Sequence, residues 1–183
     1  MSDFTRKEIQ TTILTGATLN LAGADLKGLH LGRLNLSGAD LTEADLTGAG
    51  IFNARLIWAN LNKADLTGAI LNETDLNYAN LTRAKLIRAR LYEANLSGAD
   101  LTEADLTGAG LAWASLYVAD LTGADLTGAG IINANLINAN LTNANLTNAN
   151  LTEADLTGAK LNGADLTGAK LNGTIMSDGK QHS

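Results

Sequence analysis

Two histidines and nineteen carboxylates are the first candidates in this 183-residue chain for acid–base or metal chemistry. Neither set is arranged for it. His30 and His182 fall in no nucleophile or metal-ligand spacing, so both read as surface residues without a partner. The aspartates recur because a short sequence unit recurs. The calcium-binding pattern GGXGXD is absent, and no glycine-rich phosphate loop precedes a helix. Absence of cysteine removes thiolate chemistry and disulfides alike. The chain therefore reads as non-catalytic, with no cofactor and no metal.

Function must then lie in the residues that the recurring unit leaves free, and the unit itself is strict. From Leu21 to Met176 every fifth position is aliphatic, always Leu except Ile51, Ile131 and Met176. Alanine stands two residues before nearly every such centre, usually with Asp or Asn between, as at Asp40, Asp45, Asn95 and Asn145. Alternation along an extended segment turns the alanine and the centre inward and the residue between them outward. Thr-Gly, Thr-Glu or Thr-Asn usually follows the centre. These residue types bond nearby backbone or tolerate positive φ, so each unit supplies a short strand and a turn. A narrow, filled column of Leu and Ala results; the seven aromatic residues are too few for a wide core. The sixteen residues from Asn35 to Gly50 recur unchanged from Asn95 to Gly110, a displacement that fits coils of three or of four units.

Units such as ADLTG, ADLTE and ANLTN resemble the pentapeptide repeat family, whose motif is A(D/N)LXX. The resemblance covers about 160 residues. It implies an all-β fold, a right-handed quadrilateral parallel β-helix with four repeats per coil. On that basis 1–18 form an N-terminal cap segment, 19–178 a β-helix of about eight coils, and 179–183 a C-terminal tail. Strand spacing would make the rod ~38 Å tall. Leu29 and Leu34 replace alanine in the first coil and widen its apolar end, while Thr74 and Thr174 bring inward hydroxyls that should bond backbone. Before Leu21 the register is expected to break, with Ala17 and Leu19 two residues out of phase. Thr5-Arg6-Lys7-Glu8 fits a capping box, and Phe4 and Ile9 fit a hydrophobic staple, so a short helix is expected to cover the first coil. TIMSDGKQHS abandons the motif and resembles the closing tails of cyanobacterial members.

Four faces follow, with centres at Leu21, Leu26, Leu31 and Leu36 and recurrence every twenty residues. Apart from Phe4, all aromatics come just after centres of faces three and four: Phe52, Trp58, Tyr78, Tyr92, Trp113 and Tyr117. Ile57, Val118, Ile132 and Ile137 join them, leaving Ile70 and Ile87 elsewhere on the exterior. Such sidedness marks a candidate interface. The competing account is that neighbours such as Trp58 and Tyr78 merely stack along the rod. Three apolar segments follow DLTGAG, ending at Gly50, Gly110 and Gly130. Bare positions there either admit a partner backbone or permit a bulge, and within strands the bulge is the commoner use of glycine.

Charge is sided too. Asp25, Asp45, Asp65, Asp105, Asp125 and Asp165 form an acidic column on face two, with Asp40, Asp100 and Asp120 on face one. Arg83, Lys85, Arg88 and Arg90 form a basic cluster that interrupts it; relief of repulsion is its simplest role. A net charge of −6 argues against direct binding to nucleic acid or to anionic membranes. No apolar run has signal-peptide or membrane length, which points to the cytoplasm. The reading is a protein-protein interaction scaffold or regulator, binding an unidentified protein or a second copy through its aromatic side. The alternative is a DNA-mimicking regulator of DNA gyrase, as the resemblance implies for the quinolone-resistance branch. That branch has many Phe centres, and here no centre is Phe.

Overall fold

The computed structural model describes residues 4 to 16 and 18 to 182. Backbone pairing settles the coil. The residue before each centre forms a parallel bridge with the residue twenty positions on, from Asn20↔Asp40 to Asp155↔Ile175. Four units thus make one turn, and coils of three are excluded. Each unit contributes one bridging residue and a tight turn, so the extended part is shorter than the strand its alternation suggests.

Why five residues repeat follows from where the N–H groups go. In the repeat centred on Leu101, the centre N–H donates to Asp120 O at 2.7 Å and Glu103 N–H to Thr122 O at 2.9 Å, both in the next coil. Asp100 N–H donates back to Ala79 O at 3.0 Å, and Ala104 N–H closes the turn on Leu101 O at 3.0 Å. The fifth, Thr102 N–H, donates to Asp100 Oδ1 at 2.9 Å. All five donors are therefore satisfied, three between coils and two within the unit. This is why Asx precedes the centre: its carboxylate or amide oxygen supplies the acceptor that the backbone lacks. The Thr hydroxyl often uses the same oxygen, as in Thr142 Oγ1 donating to Asn140 Oδ1 at 2.7 Å.

Inside, the Leu and Ala columns are buried from the first coil to the seventh. Each buried Leu contributes about 1.5–3 kcal/mol. The two inward hydroxyls bond backbone as expected: Thr74 Oγ1 donates to Ile51 O at 2.9 Å and Thr174 Oγ1 to Leu151 O at 2.7 Å. Among the described residues no buried side-chain nitrogen or oxygen lacks a partner.

At the N-terminal end, helix α1 (Arg6–Leu14) begins with the expected capping box. Thr5 N–H donates to Glu8 Oε2 at 2.7 Å, and Glu8 N–H donates to Thr5 Oγ1 at 3.3 Å. The Thr5 backbone and hydroxyl bonds hold the Glu8 carboxyl below its ordinary value. Ile9 is only 1% exposed, and Phe4, Ile13 and Leu29 pack against the same core. Leu29 and Leu34 therefore replace alanine to meet the helix. Leu19 does the same in register: its carbonyl accepts from Asp40 N–H at 2.9 Å and Asn20 bridges to Asp40. The expected slip before Leu21 is thus absent at Leu19, which fills the alanine-type position of the Leu21 repeat; Ala17 lies outside the described residues.

At the other end Leu161, Leu166, Leu171 and Met176 are half-buried. The chain then doubles back, with an antiparallel bridge between Ile175 and Gln181, Met176 N–H donating to Lys180 O at 2.8 Å, and His182 N–H to Thr174 O at 2.7 Å. No helix among the described residues is long and apolar enough to cross a membrane.

Candidate interaction surface

Corner geometry decides which side chains project. From Gly23 to Gly173 the second residue after each centre has positive φ, between +51° and +64° where it is not glycine. Glycine fits this region without cost, and other L-residues are strained there by about 1–2 kcal/mol. Face two uses glycine at most of its corners: Gly28, Gly48, Gly68, Gly108, Gly128 and Gly168. The aromatic and β-branched residues in this conformation are Trp58, Tyr78, Trp113 and Val118, all on faces three and four, and Val118 at φ 51° is the hardest for its residue type.

The first residue after the centre obeys a second rule. Every Thr in this position has an Asx two residues before it as an acceptor. Phe52, Ile57, Ile87, Tyr92, Tyr117 and Ile132 instead follow Gly50, Arg55, Lys85, Arg90, Ser115 and Gly130, none of them Asx. Ile137 departs from the rule, its N–H donating to Asn135 Oδ1 at 3.0 Å. Loss of the Asx acceptor removes the reason for threonine, and large apolar side chains take its place at these six corners, while Gly32, Asn72, Ala112, Asn162, Asn172 and Ser177 take it at the others.

Apart from Ile87 on face two, these large apolar residues fall into two corners flanking the bridge column Asn35, Arg55, Asp75, Asn95, Ser115, Asn135 and Asp155. On face four, Trp58 stacks on Tyr78 with ring centroids 4.5 Å apart and an 11° interplanar angle. The Tyr78 ring also covers Gly98, leaving no room there for a Cβ. On face three, Tyr92 meets Trp113 edge-on at 5.7 Å. Phe52 covers Gly32. Stacking along the rod is therefore real. It leaves Trp58 66% and Trp113 54% exposed, with Tyr92, Tyr117 and Val118 also exposed. Ile57, Ile132 and Ile137 are half-buried, so they line the surface rather than stand from it; Ile70 and Ile87 are half-buried too. Beside Glu93, whose hydrogen bond is the main cause, the Tyr92 hydroxyl is raised above its ordinary pKa.

The three glycines after DLTGA do not make bulges. Gly50, Gly110 and Gly130 all lie in the regular ladder, in His30↔Gly50↔Ile70 and Arg90↔Gly110↔Gly130↔Asn150. The His30 ring fills the space above Gly50, whereas a Cβ at Gly110 would meet nothing within 4 Å. Gly110 and Gly130 thus leave a bare strip of backbone beside Trp113 and Ile132.

The acidic column is one continuous ladder, Asp25↔Asp45↔Asp65↔Lys85↔Asp105↔Asp125↔Asn145↔Asp165. Its carboxylates work in the turns. Partial burial raises the Asp65 pKa, but hydrogen bonds from Thr67 and the nearby Lys85 outweigh it and hold the group below its ordinary value. The Thr167 hydroxyl and N–H do the same for Asp165, and the Thr42 hydroxyl and N–H for Asp40. Of the basic cluster, Lys85 sits inside the ladder 3.4 Å from Asp65, and Arg83 pairs with Glu103 at 2.6 Å. Arg88 and Arg90 form no ion pair among the described residues and lie on a different corner and column. The four cations are thus neighbours along coil four that do not converge on a common point, and two of them neutralise carboxylates of adjacent coils. Among the described residues no group of three His, Cys, Asp or Glu side chains is placed to hold a metal ion.

A family model described as pentapeptide repeats matches eight copies, over residues 20–49, 52–86, 84–117, 111–143 and 139–178. HetL, a pentapeptide repeat protein involved in heterocyst differentiation regulation from the cyanobacterium Nostoc sp. strain PCC 7120, is 32% identical, with 98% of this chain and 100% of HetL covered and a TM-score of 0.30. The pentapeptide repeat protein alr5209 from Nostoc PCC 7120 is 33% identical over 55% of this chain and 80% of its own, with a TM-score of 0.51. QnrB1, a plasmid-mediated fluoroquinolone resistance protein, is 21% identical over 84% of this chain and 89% of its own, with a TM-score of 0.45. No curated protein matches the chain.

Proposed function

Because this chain belongs to the pentapeptide repeat family, whose members fold as right-handed quadrilateral β-helices and are generally structural or regulatory, we propose that it is a non-catalytic scaffold or regulator that binds another protein, or a second copy of itself, through its aromatic side. The reading takes the coil as right-handed and four-sided, and the protein as cytoplasmic. One observation carries it. Trp58, Tyr78, Trp113 and Val118 occupy left-handed backbone that glycine occupies at the matching corners of face two. Strain retained at exposed positions points to a role outside the fold. Aromatic residues with an apolar body and a polar tip are also those that dominate protein interfaces. The bare strip at Gly110 and Gly130 adds a place where a partner backbone can come close.

HetL's involvement in regulating differentiation is compatible with such a role. The acidic column gives the gyrase-regulating DNA-mimic reading no comparable support, since Lys85 interrupts the ladder and the aspartates serve the turns. Light scattering and affinity capture from the source organism's extract, on wild type and on a Trp58→Ser, Trp113→Ser, Tyr117→Ser variant, test the proposal. The variant is expected to lose either its assembled mass or its captured partner. Unchanged mass together with unchanged capture would sink the reading.

A further inference from the structure

Beyond the aromatic corners, the N-terminal end of the same side carries positive charge that a protein of net charge −6 would not be expected to gather. The Arg6 guanidinium reaches from α1 onto the first coil, donating to His30 O and, at 3.0 Å, to Gly32 O. Arg6, His30, Gly32, Arg33 and Phe52 line one open pocket. On the other side of Arg33, Lys7, Ile13, Leu14, Leu34 and Asn35 line a groove between α1 and the first coil. Leu14 stands 86% exposed at its edge, and Ile13 is half-buried in its wall. Arg55 follows Asn35 in the bridge column, which brings it to the same end. Neither Arg33 nor Arg55 forms an ion pair among the described residues. The Glu8 carboxylate on α1 is engaged by Thr5 in the capping box.

We propose that this pocket and groove bind an acidic polypeptide segment of a partner protein, a carboxylate entering between Arg6 and Arg33 and an apolar anchor lying in the groove against Ile13 and Leu14. The proposal rests on the reading of the aromatic side as a protein-binding surface and specifies the chemistry of what lands at its N-terminal end. Charge complementarity carries it: a carboxylate meets a guanidinium whose position is fixed by two backbone carbonyls, beside a second guanidinium that forms no ion pair among the described residues. An apolar wall next to those charges selects a segment with an aliphatic or aromatic anchor over a simple anion. Arg33 has φ +64°, where glycine is relaxed, so the chain holds this guanidinium in place against a backbone cost.

Random dodecapeptide display on the immobilised full chain, followed by fluorescence-anisotropy titration of the consensus peptide, provides the test. The expected consensus places Asp or Glu beside Leu, Phe or Trp, and its affinity should fall with added salt. Arg33→Gly should weaken binding roughly tenfold while leaving the melting temperature unchanged or raised, and Arg33→Glu with Arg55→Glu should weaken it further. A neutral or basic consensus, or affinity unaltered in both variants, would overturn the proposal. Displacement of the peptide by millimolar inorganic phosphate alone would reassign the pocket to small anions. Tighter binding of a single-stranded DNA oligonucleotide than of the peptide would reassign it to nucleic acid. Trp113→Ser separates the two readings: it should leave peptide affinity intact even where it abolishes capture through the aromatic side.

Discussion

At Thr127 on face two, the N–H and hydroxyl both donate to Asp125 Oδ1, at 2.9 and 2.5 Å, and the next residue is Gly128. At Tyr117 on face four, the residue before the centre is Ser115, the Tyr117 N–H has no protein acceptor among the described residues, and the next residue is Val118 at φ 51°. The two corners turn the chain through the same path over the same Leu and Ala column. One has residues suited to the turn; the other gives up an acceptor and accepts strain to place two large side chains outside. Since the interior does not distinguish them, the difference is a property of the surface alone, where large side chains are placed at the expense of local stability.

Substitutions at matched positions of the two faces separate the core from the corners. The largest effects should be equal on the two sides: Leu106→Ala on face two and Leu116→Ala on face four should each cost about 2–5 kcal/mol in denaturant unfolding. A large inequality would place the distinction in the core. Next comes Gly128→Val, which imposes on face two the strain that face four already carries. It should cost about 1–2 kcal/mol, since a Cβ there meets nothing within 4 Å and only the backbone objects. The reverse change, Val118→Gly, should leave stability equal or up to about 1 kcal/mol higher. Asp125→Ala strips the acceptor from two donors and should cost about 1 kcal/mol. Ser115→Ala, which loses one hydroxyl contact to Ser97 at 2.9 Å, should cost less.

The smallest effect is acid sensitivity. Asp40, Asp45, Asp65, Asp100 and Asp165 all have carboxyls held below their ordinary value. A depressed folded pKa contributes stability above the unfolded value, about 3.9, and that contribution is lost as pH falls through the folded one. Melting temperature should therefore decline below about pH 4. Replacing these five with Asn, which keeps the oxygen acceptor, should blunt the decline. An identical pH profile in the variant would show that the aspartates on faces one and two contribute through nothing but shape.

Much of this is legible in the sequence alone. The five-residue beat, the inward Leu and Ala, the capping box at Thr5 and the inward hydroxyls of Thr74 and Thr174 depend on local chemistry, and local chemistry is written in order along the chain. The number of units per coil is not local; only the twenty-residue bridges, or a resemblance, decide between three and four. Leu19 reads as out of phase in the sequence because leucine is the usual centre residue, although it fills an alanine-type position widened to meet α1. The bulges expected at Gly50, Gly110 and Gly130 did not form because a parallel bridge needs no side chain. The N-terminal basic pocket was missed outright: Arg6 reaches His30 across twenty-four positions of sequence. Its one advance signal was the pair Leu29 and Leu34, which announced that something docks on the first coil. Aromatic sidedness was legible from the period. That it comes with broken Asx acceptors and strained corners required the backbone.

Gly110→Gln with Gly130→Gln asks whether the aromatic side is a binding surface. Both positions have ordinary φ and open space above them, so neutral side chains can be added without disturbing the coil. With a wild-type melting temperature as the control, the double variant is expected to lose capture of its partner, or its assembled mass, because the bare strip beside Trp113 is no longer bare. Full capture and unchanged mass at unchanged stability would contradict the account and leave the aromatic side as struts along a rod that binds elsewhere.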